Sequence, residues 1–245
     1  MDKLFKLAIV ATLLVFAGCV LTESNKTPVP KALKTNHSQN QNTTLTIETK
    51  SISHPPREGE AESTEKNFGV HIEYPQISGL GNRALEKKIN EAIRRFVGID
   101  DTGEYFRAKD VTYEQIYGEG DYLQFHFSFW AEGGAHPFSS EKSLVLNVNS
   151  GESYEIADLF QPFGIEILTG MIRERLADYY LMGENAFDEY NITGDTQFAF
   201  DKDTLFLYFS DCEVASCAAG PAKIGINLHK LKDIIKPNGP LSFSL

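Results

Sequence analysis

The feature that most constrains the fold is a pair of amphipathic helical patterns, each set among runs of strand-like residues. In the first pattern Asn82 can cap the helix and Gly98 can end it, and apolar residues recur between them at spacings of four, four and three. These residues are Leu85, Ile89, Ile93 and Phe96. The second pattern predicts a helix over residues 165–181 with one apolar side. That side consists of Ile165, Leu168, Ile172, Leu176 and Tyr179.

The segments around the two helices have the alternation and the β-branched content of strands. The predicted strands of the first half are residues 44–53, 68–75, 108–117, 122–131 and 142–148, and Pro75 is expected to end the second of them. The last three form an antiparallel meander. In the second half, residues 198–200 and 205–209 form a hairpin, residues 223–227 add a strand, and a short helix near 228–235 closes the chain. The pattern predicts an α+β fold of antiparallel sheets, each packed by one main helix, in two lobes of similar size.

The N-terminus has the pattern of an export signal. Lys3 and Lys6 precede an apolar run over residues 7–16, which has the length of a signal-peptide h-region and is too short to cross a bilayer. Small residues then lead to Cys19, an ending similar to the lipobox of bacterial lipoproteins, in which the cysteine is lipidated. We therefore expect an extracytoplasmic protein, anchored by lipid on Cys19 to the cell membrane or outer membrane. The alternative is an ordinary signal peptide that is cleaved elsewhere.

Composition divides the chain into four parts. Residues 1–19 are the predicted lipoprotein signal peptide, and residues 20–43, which are polar and poor in aromatic residues, form a flexible linker. An N-terminal α+β domain over 44–152 and a C-terminal α+β domain over 153–245 follow. The first 43 residues hold two acidic residues and five lysines, which leaves 32 acidic and 18 basic residues, a net charge of −14, in the rest. Such a charge disfavours nucleic acid and anionic lipid surfaces and favours a basic partner.

Three stretches carry a resemblance to a known family. They are YPQISGLGNRALEKKINEAI (74–93), AEGGAHP with DLF downstream (131–160), and FLYFSDCEVASCAAGPAKIGI (206–226). Together and in this order they resemble the extracytoplasmic domain shared by RsiV-type anti-sigma factors and the N-terminal region of PdaC-type peptidoglycan deacetylases. The resemblance covers most of the chain from Thr44 to Ile235. It implies a pair of domains of mostly unknown function, of which the best-understood type binds lysozyme.

The cysteines Cys212 and Cys217 mark a departure from that family. Where the family reads Gln-Tyr-Glu-Val-Ala-Pro-Tyr-Ala-Ala-Gly, residues 211–220 read Asp-Cys-Glu-Val-Ala-Ser-Cys-Ala-Ala-Gly, so both aromatic positions have become cysteine. We expect a disulfide that replaces the aromatic pair at a bend, in an exported and therefore oxidising compartment. A redox pair and a zinc site remain alternatives. A redox pair prefers Cys-x-x-Cys, and a zinc site needs further ligands at short spacing.

The sequence contains no motif that is typical of an enzyme active site. The six histidines form neither HxxxH nor HExxH, and no nucleophile, base and orienting residue can be combined from spacing. The metal-binding catalytic part of the deacetylase type is therefore not expected. We therefore expect a non-enzymatic protein with no cofactor and no metal.

Two functions remain for such a protein. The first is binding of a basic protein, lysozyme or another basic wall hydrolase, through the loop that holds Asp211, Glu213 and Ser216, with Glu132 and His136 as further candidates. His136 is more typical of a tight turn after Gly133-Gly134. The alternative function is a cell-wall carbohydrate-binding or envelope-structural module. That function predicts an exposed aromatic strip from Phe125, Phe127, Phe129 and Trp130, residues that we otherwise expect in the core.

Overall fold

A computed structural model describes residues 45–54, 69–99, 108–116, 121–132, 137–183 and 186–245. The predictions for the signal peptide, for Cys19, for the linker and for His136 concern residues outside these ranges. The described residues form an α+β fold with two sheets and two main helices, as predicted. The strands are β1 (Thr46–His54), β2 (Val70–Ser78), β3 (Ala108–Ile116), β4 (Tyr122–Glu132), β5 (Phe138–Asn147), β6 (Gln197–Phe200), β7 (Thr204–Phe209) and β8 (Ala222–Asn227). The helices are α1 (Arg83–Val97) and α2 (Gly164–Tyr180).

The five-stranded sheet has the order β1-β2-β3-β4-β5. The strands β3, β4 and β5 form the predicted antiparallel meander, and β1 pairs antiparallel with β2. The pairing of β2 with β3 is parallel, because α1 lies between them in the chain and returns it to the same end of the sheet. This parallel pairing was not anticipated from the sequence.

The strand β2 does not end at Pro75 as predicted, but continues to Ser78. The parallel pairing with β3 covers only Val70–Ile72, whereas β1 pairs with β2 along its whole length. Pro75 therefore lies where β2 has a neighbour on one side only. A proline without an N–H is tolerated at such an edge position.

Helix α1 begins and ends as predicted. The Asn82 side chain accepts hydrogen bonds from the backbone N–H groups of Ala84 and Leu85, and Gly98 ends the helix in the left-handed conformation at φ 65°. Ile89 and Ile93 are completely buried against the sheet. The apolar spacing of the sequence thus gives the observed face.

Replacing Asn82 with alanine is expected to lower the free energy of unfolding by about 1 kcal/mol, because two N–H groups of the first turn lose their acceptor. Urea denaturation of the variant measures this loss. Asn82→Asp, which keeps a capping oxygen, is the control and should stay within about 0.5 kcal/mol of the parent. An equal loss in both variants would contradict the capping role.

Helix α2 covers the three-stranded sheet, which has the order β6-β7-β8 and contains the predicted hairpin. Leu168, Ile172 and Leu176 are completely buried, as predicted. The prediction for Tyr179 is wrong, because that side chain is 54% exposed. Tyr179 lies on the same side of the helix as these three residues, but it stands in the last turn of α2, where its side chain stays exposed, and the ring of the neighbouring Tyr180 packs near Phe187 instead.

The predicted closing helix is also only partly present. One turn of 3-10 helix, Leu228–Lys230, forms, and the chain then runs through turns to Ile235, which bridges to Phe160. Ile235 pairs with Phe160 in a β-bridge, and a residue in such a bridge cannot be the end of a continuous helix. The proposed domain boundary near residue 152 stays a prediction. Two cores are present, and β5 belongs to both, because Val145 faces the C-terminal core whereas Leu144 and Leu146 face the N-terminal one.

Gln124 on β4 links the two sheets. Its side chain is 1% exposed, its Nε2 donates to the carbonyl of Phe200 at 2.7 Å, and its Oε1 accepts from the N–H of Phe200 at 2.9 Å. The amide thus bonds both backbone groups of one residue at the end of β6. This contact fixes the C-terminal sheet against β4.

Candidate functional site

Residues 210–220, here called the bridged loop, connect β7 to β8. The Sγ atoms of Cys212 and Cys217 are 2.06 Å apart, which is the distance of the predicted disulfide. Cys212 has φ 64°, a left-handed conformation that non-glycine residues rarely adopt. A single turn of 3-10 helix, Cys217–Ala219, follows the bridge. The covalent bond therefore holds a compact bend that the residue at 212 would not favour by itself.

The start of the bridged loop is bonded to β5 of the other sheet. The backbone N–H of Asp211 donates to the carbonyl of Ser139 at 3.2 Å, and the N–H of Ser139 donates to Asp211 Oδ2 at 2.8 Å. The hydroxyls of Ser210 and Ser140 lie 3.0 Å apart. Within the loop, Glu213 Oε2 accepts from the N–H of Ser210 at 2.7 Å. These bonds fix the base of the loop and leave its tip exposed.

An acidic cleft of about 650 Å³ lies beside the bridged loop. It is lined by Ala186, Phe187, Asp188, Glu189, Tyr190, Asn191, Glu213 and Val214. Asp188, Glu189 and Glu213 place three carboxylates around it, and none of them pairs with a lysine or arginine in the described ranges. The cleft therefore combines unneutralised negative charge with apolar contact surface from Val214.

The wall of the cleft opposite the loop is held by α2. Arg173 Nε donates to the carbonyl of Tyr190 at 2.8 Å, and its Nη2 donates to Asn191 Oδ1 at 3.2 Å. The Tyr190 ring packs edge-on against Phe209, the last residue of β7. The acidic residues 188 and 189 are thus presented on a segment with defined anchors.

Burial changes the titration of two groups in the cleft. Burial raises the pKa of Tyr190 to about 12, and its hydroxyl has no hydrogen-bond partner among the described residues. Burial also raises the pKa of Glu213, although its side chain reaches solvent, and the Ser210 N–H acts in the opposite direction. Glu213 therefore loses its charge at a higher pH than an ordinary glutamate.

A second polar cluster lies between the sheets. The His126 ring stacks on Tyr208 with centroids 4.1 Å apart, its Nε2 lies 2.8 Å from Glu141 Oε2, and its Nδ1 lies 3.3 Å from Glu114 Oε1. Ser128 Oγ donates to Glu141 at 2.9 Å. Burial, and then the charges of Glu114 and Glu141, raise the pKa of Tyr208 far above its ordinary value. This cluster joins β3, β4 and β5 to β7 and therefore links the two sheets.

The free energy of unfolding should fall as the pH rises from about 10 to about 12. The unfolded chain loses tyrosine protons near pH 10, whereas the folded chain holds those of Tyr190 and Tyr208 to higher pH, so alkali favours the unfolded state. Urea denaturation at about pH 9 and about pH 11.5 measures the fall. A Tyr190→Phe, Tyr208→Phe variant should lose less stability over this range. An unchanged fall in that variant would contradict the assignment.

The structure brings some of the predicted site residues together. Asp211, Glu213 and Ser216 all lie in the bridged loop, but Glu213 alone of the three lines the cleft, because Asp211 is turned towards Ser139. Glu132 is partly buried at the end of β4 and lies outside the cleft lining. His136 lies outside the described residues. A binding role for these residues stays a prediction.

Sequence reasoning missed Asp188 and Glu189, which form the other wall of the cleft. The available signal was an acidic pair next to Tyr190 in the segment between α2 and β6. Reasoning from the sequence also missed the cluster at His126. Its signal was the polar alternation of Gln124, His126 and Ser128 along an otherwise aromatic strand.

The described residues include no group of three or more His, Cys, Asp or Glu side chains that could hold a metal ion. None of the helices in those same ranges is both long enough and apolar enough to cross a membrane.

The fold and the cleft define a two-sheet α+β protein with an acidic, disulfide-bridged loop. Its fold is similar to that of DUF3298 family proteins, a family of unknown function. A member from Bacteroides fragilis has a TM-score of 0.63 and 13% identity over 82% of this chain and 98% of the other. A member from Pseudomonas aeruginosa PAO1 has a TM-score of 0.58 and 12% identity over 79% and 95%. At this identity the likeness shows the fold alone, and no protein-family model or curated protein matches the sequence.

Proposed function

We propose that this chain is a non-enzymatic, lipid-anchored envelope protein whose bridged loop and acidic cleft bind a basic protein partner. Lysozyme or another basic wall hydrolase is the partner that the sequence resemblance to RsiV-type domains implies. The observation that carries the proposal is the set of three carboxylates, Asp188, Glu189 and Glu213, around a cleft with apolar walls. The anchor at Cys19 rests on the sequence pattern.

The cleft fits a protein side chain better than a free cation. Val214, which is only partly buried, offers apolar surface for the methylene groups of a lysine or arginine, while the carboxylates accept from its charged end. The net charge of the body, −14, steers a basic protein towards this surface and accelerates association. The fixed base of the loop limits the ordering cost of binding.

The alternative of a carbohydrate-binding module has less support. It requires an exposed aromatic strip, but Phe125 and Phe127 are completely buried, and Phe129 packs against the N-terminal core beneath the ammonium group of Lys142. Trp130 is partly buried. Phe125 and Phe127 therefore occupy the predicted core positions, and Phe129 packs against the core, whereas Trp130 belongs to neither core cluster.

Neutralising the cleft tests the proposal. The variant Asp188→Asn, Glu189→Gln, Glu213→Gln should bind hen lysozyme at least about tenfold more weakly than the parent, because charge-assisted hydrogen bonds are lost while the amide at 213 can still accept from Ser210. Calorimetry on the full chain in non-ionic detergent gives both affinities.

The matched control removes three carboxylates that lie on exposed surface outside the cleft, in Glu166→Gln, Glu174→Gln, Asp178→Asn of α2. Its net charge equals that of the cleft variant, so a difference between the two isolates position from total charge. Equal weakening in both would mean that lysozyme responds to overall charge and would overturn the cleft as the binding surface.

A further inference from the structure

A second cleft, here called the α1 groove, lies on the N-terminal sheet and has the opposite charge character. Its volume is about 530 Å³, and it runs between α1 and the turn that follows β5. It is lined by Lys88, Ala92, Arg95, Phe96, Leu144, Gly151, Glu152 and Ser153. Helix α1 carries five basic and two acidic side chains, although the chain as a whole has a net charge of −11. The groove is therefore a local basic surface on an acidic protein.

The helical period brings the groove's cations to one face. Residues 88, 92, 95 and 96 are spaced by four, three and one, which places them along the same side of α1. Basic residues in the last turn of a helix are favoured by its negative end, which accounts for Arg95 by itself. That effect does not account for Lys88, which lies in the first half of the helix and lines the same groove.

The two basic side chains of the groove, Lys88 and Arg95, differ in whether they already have a bonding partner. Lys88 Nζ donates to the carbonyl of Ser150 at 2.8 Å and lies 4.0 Å from Glu152 Oε1, so the turn fixes its position. The guanidinium of Arg95 makes no hydrogen bond or ion pair within the part of the chain that the structure describes. Its five N–H donors, in a planar fork, are available to an oxyanion.

The rest of the lining suits a sugar ring. Phe96 is held by its contact with Phe127, with ring centroids 5.3 Å apart, and adds an aromatic wall beside Arg95. Ser153 and Glu152 add a hydroxyl and a carboxylate that can bond sugar hydroxyls. A cleft of this volume is within the range of small-molecule sites.

We propose that the α1 groove binds an anionic saccharide, a sugar ring that carries a phosphate or a carboxylate. The guanidinium of Arg95 holds the oxyanion, Lys88 adds positive charge beside it, and Phe96 contacts the ring. The many carboxylates elsewhere on the protein oppose this binding weakly, because at physiological ionic strength charges beyond about 8 Å are screened. The site is separate from the acidic cleft and does not depend on the function proposed for that cleft.

Calorimetry on the full chain in non-ionic detergent tests the inference with four probes: glucose 6-phosphate, glucuronate, inorganic phosphate and glucose. Saturable binding of glucose 6-phosphate or glucuronate, with weaker binding of phosphate and of neutral glucose, is the expected result. The stronger of the two anionic sugars identifies whether the oxyanion is phosphate or carboxylate. Binding of phosphate as tight as that of either sugar, or no saturable binding by either sugar, would overturn the proposal.

Two substitutions on the same helix locate the site. Arg95→Gln should weaken binding of the preferred sugar about tenfold or more, whereas Arg83→Gln, which removes the same charge outside the groove, should leave it within about twofold. Arg95→Lys, which keeps the charge without the planar fork, should be intermediate. Thermal unfolding of each variant confirms that the helix is intact. Equal weakening by Arg83→Gln and Arg95→Gln in folded protein would refute the assignment.

Discussion

Replacing Gln124 with leucine is expected to lower the free energy of unfolding by about 3 kcal/mol or more. Leucine has a similar volume but no polar atoms, so the N–H and the carbonyl of Phe200 would both lose their partner in a buried position. An unsatisfied buried backbone group costs about 1–3 kcal/mol, and two such groups are involved here. Urea denaturation, monitored by circular dichroism, measures the change.

The matched control is Gln76→Leu, because Gln76 lies exposed on β2. This control should change stability by less than about 0.5 kcal/mol. A second readout separates the linking role from local packing. Because Gln124 fixes β6 against β4, the variant should expose the segment around Phe200 to hydrogen exchange before the N-terminal sheet. A loss below about 1 kcal/mol would contradict the linking role.

Removing the disulfide has the second large expected effect. Closing a loop this short contributes about 2 kcal/mol through the entropy of the unfolded chain, so Cys212→Ser, Cys217→Ser should lose about that amount. The variant also leaves serine at a left-handed position, φ 64°, which the bridge no longer enforces. We therefore expect the bend to open and binding of the basic partner to weaken, because Glu213 and Val214 lie between the two cysteines.

A glycine variant separates the bond from the backbone conformation. Cys212→Gly, Cys217→Ser removes the same bond but places glycine at position 212, where positive φ costs it little. This variant should be more stable than the double-serine variant and should retain more of the binding. Equal stability and equal binding in the two would contradict a role of the left-handed bend.

Local sequence patterns predicted most of the fold. The cap at Asn82, the end at Gly98, the meander and the hairpin follow from short-range rules, because the residues that decide them lie within a few positions of each other. The errors at Pro75 and Tyr179 arose where partners distant in sequence decide the outcome. Whether β2 can continue through Pro75 depends on how far β3 pairs with β2. Whether the Tyr179 side chain is buried depends on which residues cover the last turn of α2.

Only one of the two walls of the candidate site could be predicted from the sequence. The bridged loop was visible because its cysteines mark it in the sequence. The opposite wall, with Asp188 and Glu189, was not visible, because nothing local shows that this segment packs beside residue 213. The same holds for Gln124 and Phe200, which meet across 76 positions. Contacts of this kind follow from how two sheets are placed, and no short-range pattern encodes that placement.

The most direct test of the central claim is the binding of hen lysozyme to the oxidised full chain, measured by calorimetry at low and at physiological salt. Cytochrome c, another small basic protein, serves as the comparison. We predict saturable one-to-one binding of lysozyme that survives physiological salt, whereas cytochrome c binding is lost as its exposed charges are screened. If salt removes the binding of both proteins alike, the cleft offers charge without complementarity, and the proposed function is wrong.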